Sequence, residues 1–117
     1  MKQLLFVFIG GGIGSLLRYL ISFIFKNNSY NFPWSTFIVN MIGCFLIGFI
    51  IGLSLPNKDT SYYFFIVGFL GSFTTMSAFT FQTISIANTN LIYALSYIIL
   101  TVVLTILATY IGIVLAK

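Results

Sequence analysis

Four long apolar segments follow one another along the chain, and short polar stretches separate them. They cover residues 4–25, 33–55, 62–86 and 91–116. Each contains at least about 20 residues, which is enough for a helix to cross a hydrocarbon core of roughly 30 Å. The pattern predicts an all-α membrane protein: one membrane domain over residues 1–117, four transmembrane helices, and both termini on the same side.

Small and polar side chains recur every four residues in the second and fourth segments, and residues at this spacing share one helix face. The two stripes consist of Thr36, Asn40, Cys44, Gly48 and Gly52, and of Tyr93, Tyr97, Thr101, Thr105 and Thr109. One interpretation is close packing of helices. The other is a polar permeation path, which Asn40 favours because a carboxamide deep in a membrane is costly unless its donors are satisfied. The pattern leaves both open.

Some of the small residues are best explained by packing alone. Gly10-x-x-x-Gly14 and Gly48-x-x-x-Gly52 have the spacing at which two membrane helices approach closely. Cys44, the only cysteine, is predicted to be a small buried residue. A single cysteine can form neither an intrachain disulfide nor a cysteine zinc site.

The middle of the third segment is its least helix-compatible part. Residues 71–77 read GSFTTMS, where glycine weakens a helix and hydroxyl side chains compete for its backbone hydrogen bonds. Local chemistry favours an unbroken helix with a small packing face, since glycine is frequent in membrane helices. The alternative is a break, whose freed carbonyls would suit a hard cation and whose new helix N-terminus would favour an anion.

Charged residues are scarce along the whole chain. The sequence is 60% hydrophobic and 5% charged, against about 25% charged residues in a soluble domain. The net charge of +4 comes from scattered basic residues, which form no stripe for nucleic acid. Arg18 interrupts the first apolar segment and no small-residue cleavage site follows, so that segment is predicted to be a retained helix and not a signal peptide.

The residue types that the sequence lacks argue against several classes of protein. The chain has no histidine, and its only acid, Asp59, lies in a polar stretch, so an enzyme would have few candidate groups. A four-span exporter that binds cations needs a carboxylate within the membrane, and a cation pore with an acidic ring needs several; this chain has none in its four apolar segments. The neutral stripes could carry water, a small neutral solute or an ion, and the nearby Arg18 favours an anion.

Positive charge is nearly balanced between the two predicted faces of the membrane. Lys2, Lys58 and Lys117 lie on one side, and Lys26 and Arg18 lie on or near the other. A bias of three against two is weak under the positive-inside rule, so we expect insertion in either orientation. Arg18 itself could snorkel to the interface or anchor a polar vestibule.

Three motifs share their order and spacing with one known family. They read Gly11-Gly12-x-Gly14-x-x-x-Arg18-Tyr19, Phe37-x-Val39-Asn40-x-x-Gly43 and Gly68-Phe69-x-Gly71-x-x-Thr74-Thr75-x-Ser77-x-Phe79. Over essentially its whole length the chain resembles the Fluc (CrcB) fluoride channels. The resemblance implies a multi-pass protein of the cell membrane that exports cytoplasmic fluoride passively and so protects the cell from its toxicity.

The resemblance also implies an assembly and a bound ion. Two antiparallel subunits, inserted with dual topology, would form two fluoride pores, and the third helix would be broken. A structural Na⁺, required for activity but not transported, would be bound by backbone carbonyls. The matching residues are Gly71 and Thr74, and two carbonyls from each subunit would give four oxygen ligands.

For the fluoride pore, the resemblance implies residues from three of the four segments. They are Asn40, Phe79, Met76, Thr75, Ser77, Tyr97, Thr101, Thr105 and Thr36. Phe79 matches one of two phenylalanines whose ring edges face fluoride, a sensible role because the edge is the positive end of the aromatic quadrupole. The hydroxyls would replace part of the hydration shell of fluoride, and Arg18 would lie at a vestibule.

Three positions depart from the family pattern. Met76 stands where the first pore phenylalanine is expected, Ala78 replaces a threonine, and Gln82 replaces a glutamate. One hypothesis is that a homodimer still conducts, with Met76 as an apolar wall. The rival hypothesis is a non-conducting or partly degraded subunit that works with a different, intact partner chain. A four-span small-molecule exporter or a structural membrane subunit would also be compatible with four apolar segments.

Overall fold

The computed structural model describes residues 1–25, 32–53 and 59–117. Helix α1 is Lys2–Ile24 and α2 is Trp34–Gly52; α3 begins as a π-helix, Tyr62–Leu70, and ends as a short α-helical turn, Gly71–Phe73; α4 is Met76–Ala87 and α5 is Leu91–Ala116. The predicted polar connection at 26–29, the end of the second segment at 54–55, and the charges of Lys26 and Lys58 lie outside the described residues.

The described residues contain four helices that are long and apolar enough to cross a membrane, with Tyr62–Ala87 counted as one interrupted span. This confirms the predicted all-α membrane fold with four transmembrane helices. Only 11–28% of each apolar window is buried within the chain. The outer surface is therefore largely apolar, as expected of a multi-pass membrane protein surrounded by lipid or by another subunit.

Side-chain caps determine where three of the helices begin. Asp59 Oδ1 accepts the N–H of Tyr62 at the start of α3. Asn90 Oδ1 accepts the N–H of Tyr93 in the first turn of α5. Thr75 caps α4 in the same way. Each cap satisfies a backbone donor that the first turn of a helix leaves without an intrahelical partner.

The third span is broken between α3 and α4. Thr74 (φ −79°, ψ 156°) and Thr75 (φ −147°, ψ 114°) both have extended backbones. The unbroken helix that local chemistry favours is therefore wrong, and the alternative of a break is confirmed. The local argument fails because the break is stabilised by side chains from α1 and α2, which are distant in sequence.

The break allows one span to pack against two different neighbours. Helix α1 lies along α3, and α2 lies along α5. After the break, α4 turns away from α1 and packs against α5. The chain is thus two helix pairs joined at the break, and the break faces the middle of α2.

Glycines form the contact surfaces of both helix pairs. A Cβ on Gly10 or Gly14 would overlap the backbone of α3, and one on Gly48 or Gly52 would overlap the backbone of α5. Hard backbone atoms cannot move aside for an added methyl group, so these four positions require the absence of a side chain. The prediction that both glycine pairs serve helix packing is confirmed.

Candidate functional site

The side chain of Asn40 forms a two-point pair with the backbone of Thr75. Asn40 lies in the middle of α2, opposite the break. Its Oδ1 accepts the N–H of Thr75 at 2.8 Å, and its Nδ2 donates to the Thr75 carbonyl at 3.1 Å. The two bonds satisfy both backbone groups of an extended residue at membrane depth, which removes the main penalty for a break there.

The pairing changes the partners of nearby carbonyls. In a continuous helix, the N–H of Thr75 would donate to the Gly71 carbonyl four residues earlier. It donates to Asn40 instead. Likewise, the N–H of Ala78 donates to Thr75 Oγ1 at 3.2 Å and not to the Thr74 carbonyl. Gly71 and Thr74 therefore both lose the backbone donor that a helix would give them.

Arg18 contacts the break from the side of α1. Its Nε donates to the Ser72 carbonyl at 3.0 Å. This carbonyl lies at the C-terminal end of α3, where the helix dipole favours a positive charge. In the structure Arg18 is thus bonded to the break and lines a cavity beside it.

A cavity of about 220 Å³, here called the pore-side cavity, brings together many of the predicted pore residues. It is lined by Asn40, Cys44, Thr74, Thr75, Met76, Phe79, Thr101, Val102 and Thr105. None of these side chains carries a formal charge. Cys44, predicted to be buried, is partly exposed in the single chain because it lines this open cavity.

The hydroxyls of this cavity differ in what they can donate. Thr105 Oγ1 donates to the Thr101 carbonyl at 2.6 Å, so its one proton is used within α5. Thr101 Oγ1 is buried and has no hydrogen-bond partner among the described residues. A buried hydroxyl without a partner is costly. Thr101 is therefore the threonine of this cavity's α5 wall whose hydroxyl proton has no acceptor among the described residues.

Phe79, which lines the cavity, forms an aromatic pair with Tyr97, which does not. Their ring centroids are 5.1 Å apart with an interplanar angle of 47°. Tyr97 is only 1% exposed, and its hydroxyl is buried without a partner in the part of the chain that is described. Its ring packs behind Phe79, and it is not among the residues that line the cavity.

Met76 and Ser77 lie at the rim, in the first turn of α4. The side chain of Met76 lines the pore-side cavity but is 72% exposed. Ser77 is exposed, and its hydroxyl lies 3.3 Å from that of Thr75. Both residues thus face out of the single chain, which leaves most of Met76 exposed.

A second cavity, of about 310 Å³, contains Arg18 and is here called the Arg18 cavity. Its lining comprises Ser15, Arg18, Tyr19, Ser22, Ser35, Thr36, Val39, Thr75, Ala78 and Gln82. Thr75 lines both cavities, so the paired backbone at the break lies between them. Thr36 is therefore separated from Thr101 and lies with Arg18 instead.

Sequence reasoning missed the serines of the Arg18 cavity. Ser15, Arg18 and Ser22 are three and four residues apart on α1, which places them on one helix face. This spacing is a short polar stripe that the sequence alone could have revealed. Gln82 stands out in the sequence only as a departure from the family pattern, yet its Oε1 is buried in this cavity's wall and has no partner among the residues described.

A third cavity, of about 220 Å³, is lined by the two residues whose carbonyls lose their helical donors, and it is here called the carbonyl cavity. It is lined by Gly43, Cys44, Ile47, Ile66, Leu70, Gly71 and Thr74. A Cβ on Gly43 would overlap the methyl group of Thr74, so this glycine makes room for the break. The described residues hold no cluster of histidine, cysteine or acidic side chains, and a cation here would rely on backbone oxygens.

The chain is similar to known proteins over nearly its whole length. A family model described as "CrcB-like protein, Camphor Resistance (CrcB)" matches residues 5–113. The chain is 40% identical to the fluoride-specific ion channel FluC of Flavobacterium psychrophilum, over 100% of this chain and 98% of that protein. It is 42% identical to the protein of the same name from Phocaeicola vulgatus, over 97% of each chain.

Proposed function

The chain belongs to the CrcB-like protein family, and on this premise we propose that it is a fluoride channel of the cell membrane through which cytoplasmic fluoride leaves passively. Two relatives named fluoride-specific ion channel FluC match this chain over nearly their full length. The chain is not an enzyme. Passive export would lower intracellular fluoride and protect the cell without any coupling group such as a membrane carboxylate.

The observation that carries the proposal is the chemistry of the pore-side cavity. Fluoride gives up strongly bound water only where other donors replace it. The cavity lining includes Thr101, whose hydroxyl has no partner among the described residues, and Asn40, whose second N–H is not used on Thr75. Helix α4 begins directly after Thr75, and its N-terminus favours an anion. Among the described residues, no carboxylate lines the cavity to repel one.

The Arg18 cavity would serve as the vestibule. One guanidinium nitrogen of Arg18 is held by Ser72, which leaves the remaining donors for an anion. A fixed positive charge in a cleft raises the local concentration of anions. Fluoride would pass from Arg18 and Thr36 past the break at Thr75 to the pore-side cavity.

A structural sodium ion would bind at the carbonyl cavity. Gly71 and Thr74 fit this role because both line that cavity and both have lost their helical donors. Hard cations prefer oxygen ligands and take more than two of them. One chain supplies two such carbonyls, so a second copy would supply the rest. The nearly balanced charge of the two membrane faces favours an antiparallel copy. When bound, the ion would add a positive charge beside the break.

The exposed Met76 supports a second candidate function, that of a channel subunit that needs a different partner chain. Its thioether fills the volume of a phenylalanine but has no positive ring edge to offer fluoride. We propose that the homodimer conducts, with Met76 as an apolar wall. The test is fluoride efflux from liposomes that contain this chain alone. We expect fluoride efflux above that of empty liposomes. If the wild-type chain gives no efflux and Met76→Phe restores it, the heterodimer is favoured.

A further inference from the structure

We infer that Asn40 is a positioning residue for the cation site: by pairing with the backbone of Thr75, it keeps the Gly71 carbonyl free to bind sodium. The inference rests on the proposed function, because it concerns the sodium ion proposed there. The Asn40 side chain lines the pore-side cavity and would also control a ligand in the carbonyl cavity.

The first step is the competition for one N–H group. Thr75 N–H could close a helical bond to the Gly71 carbonyl or pair with Asn40. The structure shows the second, at 2.8 Å, and the return bond from Asn40 Nδ2 holds the Thr75 carbonyl as well. Without the side chain, the N–H would regain the Gly71 carbonyl as its helical acceptor.

The second step is the choice of carbonyls in the carbonyl cavity. Three residues of the break line it, namely Leu70, Gly71 and Thr74. The Leu70 carbonyl already accepts from Thr74 twice, from N–H at 3.2 Å and from Oγ1 at 2.9 Å. The Thr74 hydroxyl proton is thereby committed to Leu70, and the carbonyl is the backbone oxygen that Thr74 offers. Gly71 and Thr74 are left as the pair of backbone ligands.

The third step identifies which side chain takes the helical donor away from each of the two carbonyls. The Thr74 carbonyl loses its helical donor to Thr75 Oγ1, which caps Ala78 at 3.2 Å. The Gly71 carbonyl loses its donor to Asn40. Asn40 therefore controls one carbonyl of the pair, and its removal should weaken sodium binding without abolishing it.

The test uses the stability of the full-length protein and not its flux. Thermal unfolding of the purified protein in detergent is followed while NaCl replaces N-methylglucamine chloride at constant ionic strength. For Asn40→Ala, the sodium concentration of half-maximal stabilisation should rise by about tenfold, the effect of one hydrogen bond. Asn40→Asp keeps an acceptor for the Thr75 N–H and should need no more sodium than the wild type. Thr101→Val, which changes the pore-side cavity but removes no hydrogen bond to the described residues of the break, is the matched control and should show no shift.

The outcomes separate the inference from the proposed function. If the wild type responds to sodium and Asn40→Ala responds identically, the inference is wrong and the sodium site stands. The same holds if Thr101→Val shifts as far as Asn40→Ala, since the effect is then a general one. A wild type without any sodium response would overturn the sodium site and the inference together. If Asn40→Ala cannot be purified, Asn40→Ser is measured, because its hydroxyl is too short to replace the carboxamide and the same rise of about tenfold is expected.

Discussion

The Thr105 hydroxyl donates to the carbonyl of Thr101 at 2.6 Å, while the hydroxyl of Thr101 itself is buried without a partner among the described residues. The two threonines are one turn apart on α5 and line the same cavity. Their protons nevertheless have different uses, because one is committed to the helix and the other is free. The two residues should therefore contribute unequally to fluoride permeation.

Replacing each threonine by valine tests this difference. Thr101→Val removes a free donor to the anion, which is worth about 1.5–3 kcal/mol for a hydrogen bond to a charged group, so fluoride flux should fall by about tenfold or more. Thr105→Val removes only a hydroxyl that is bonded back to its own helix and should reduce flux less. Fluoride efflux from liposomes at equal protein content measures both. Equal losses would show that the Thr105 hydroxyl is also used by the anion.

Tyr97 should act through its ring and not through its hydroxyl. The ring packs against Phe79, whereas the hydroxyl is buried without a partner in the described structure. Tyr97→Phe should therefore keep fluoride flux within about twofold and leave stability unchanged or raise it by about 1 kcal/mol. Tyr97→Leu should lower flux by removing the support of Phe79. Efflux and thermal unfolding of both variants decide the point, and a Tyr97→Phe variant as inactive as Tyr97→Leu would mean that the hydroxyl binds the anion.

Arg18 should stabilise the break as well as attract anions. Arg18→Ala leaves the Ser72 carbonyl without its donor, which should lower the free energy of unfolding by about 1–3 kcal/mol. Arg18→Lys keeps the charge but lacks the directed Nε–H, so it should restore anion attraction better than stability. Thermal unfolding and efflux are compared for the two variants. If Arg18→Ala unfolds at the same temperature as the wild type, the bond to Ser72 does not stabilise the break.

Two neighbouring glycines of α1 offer a matched pair for the packing argument. A Cβ on Gly14 would overlap the backbone of α3, whereas one on Gly12 would meet nothing within 4 Å. Gly14→Ala should lower stability by about 1–3 kcal/mol. Gly12→Ala should leave it unchanged or raise it by roughly 0.5–1 kcal/mol, because alanine is the better helix former. Thermal unfolding in detergent compares them, and equal effects would contradict the close α1–α3 contact.

The sequence alone was enough to predict the four spans, because apolar length and the scarcity of charge are local properties. It also identified the polar stripes of α2 and α5, and both glycine pairs. The break was different. Local chemistry favoured a continuous helix, and only the family resemblance pointed the other way, since the stabilising groups come from Arg18 and Asn40 in other helices. The hydroxyl partners of Thr101 and Thr105 likewise depend on side-chain geometry that spacing does not contain.

The family resemblance implies that Asn40 belongs to the fluoride pore. The structure shows that the same side chain holds both backbone groups of Thr75. A substitution at Asn40 will therefore change the break and the cavity together. Loss of flux in such a variant would not by itself identify an anion ligand, and the sodium dependence of stability separates the two effects.

The most direct test of the central claim is to measure fluoride and chloride efflux together from liposomes that contain only this chain, with sodium present. The neutral cavity lined by Asn40, Phe79 and Thr101 is proposed to pass the small anion. We expect fluoride to leave rapidly while chloride stays inside, with empty liposomes retaining both. Retention of both ions, or loss of both at the same rate, would contradict the proposal that this chain forms a fluoride channel.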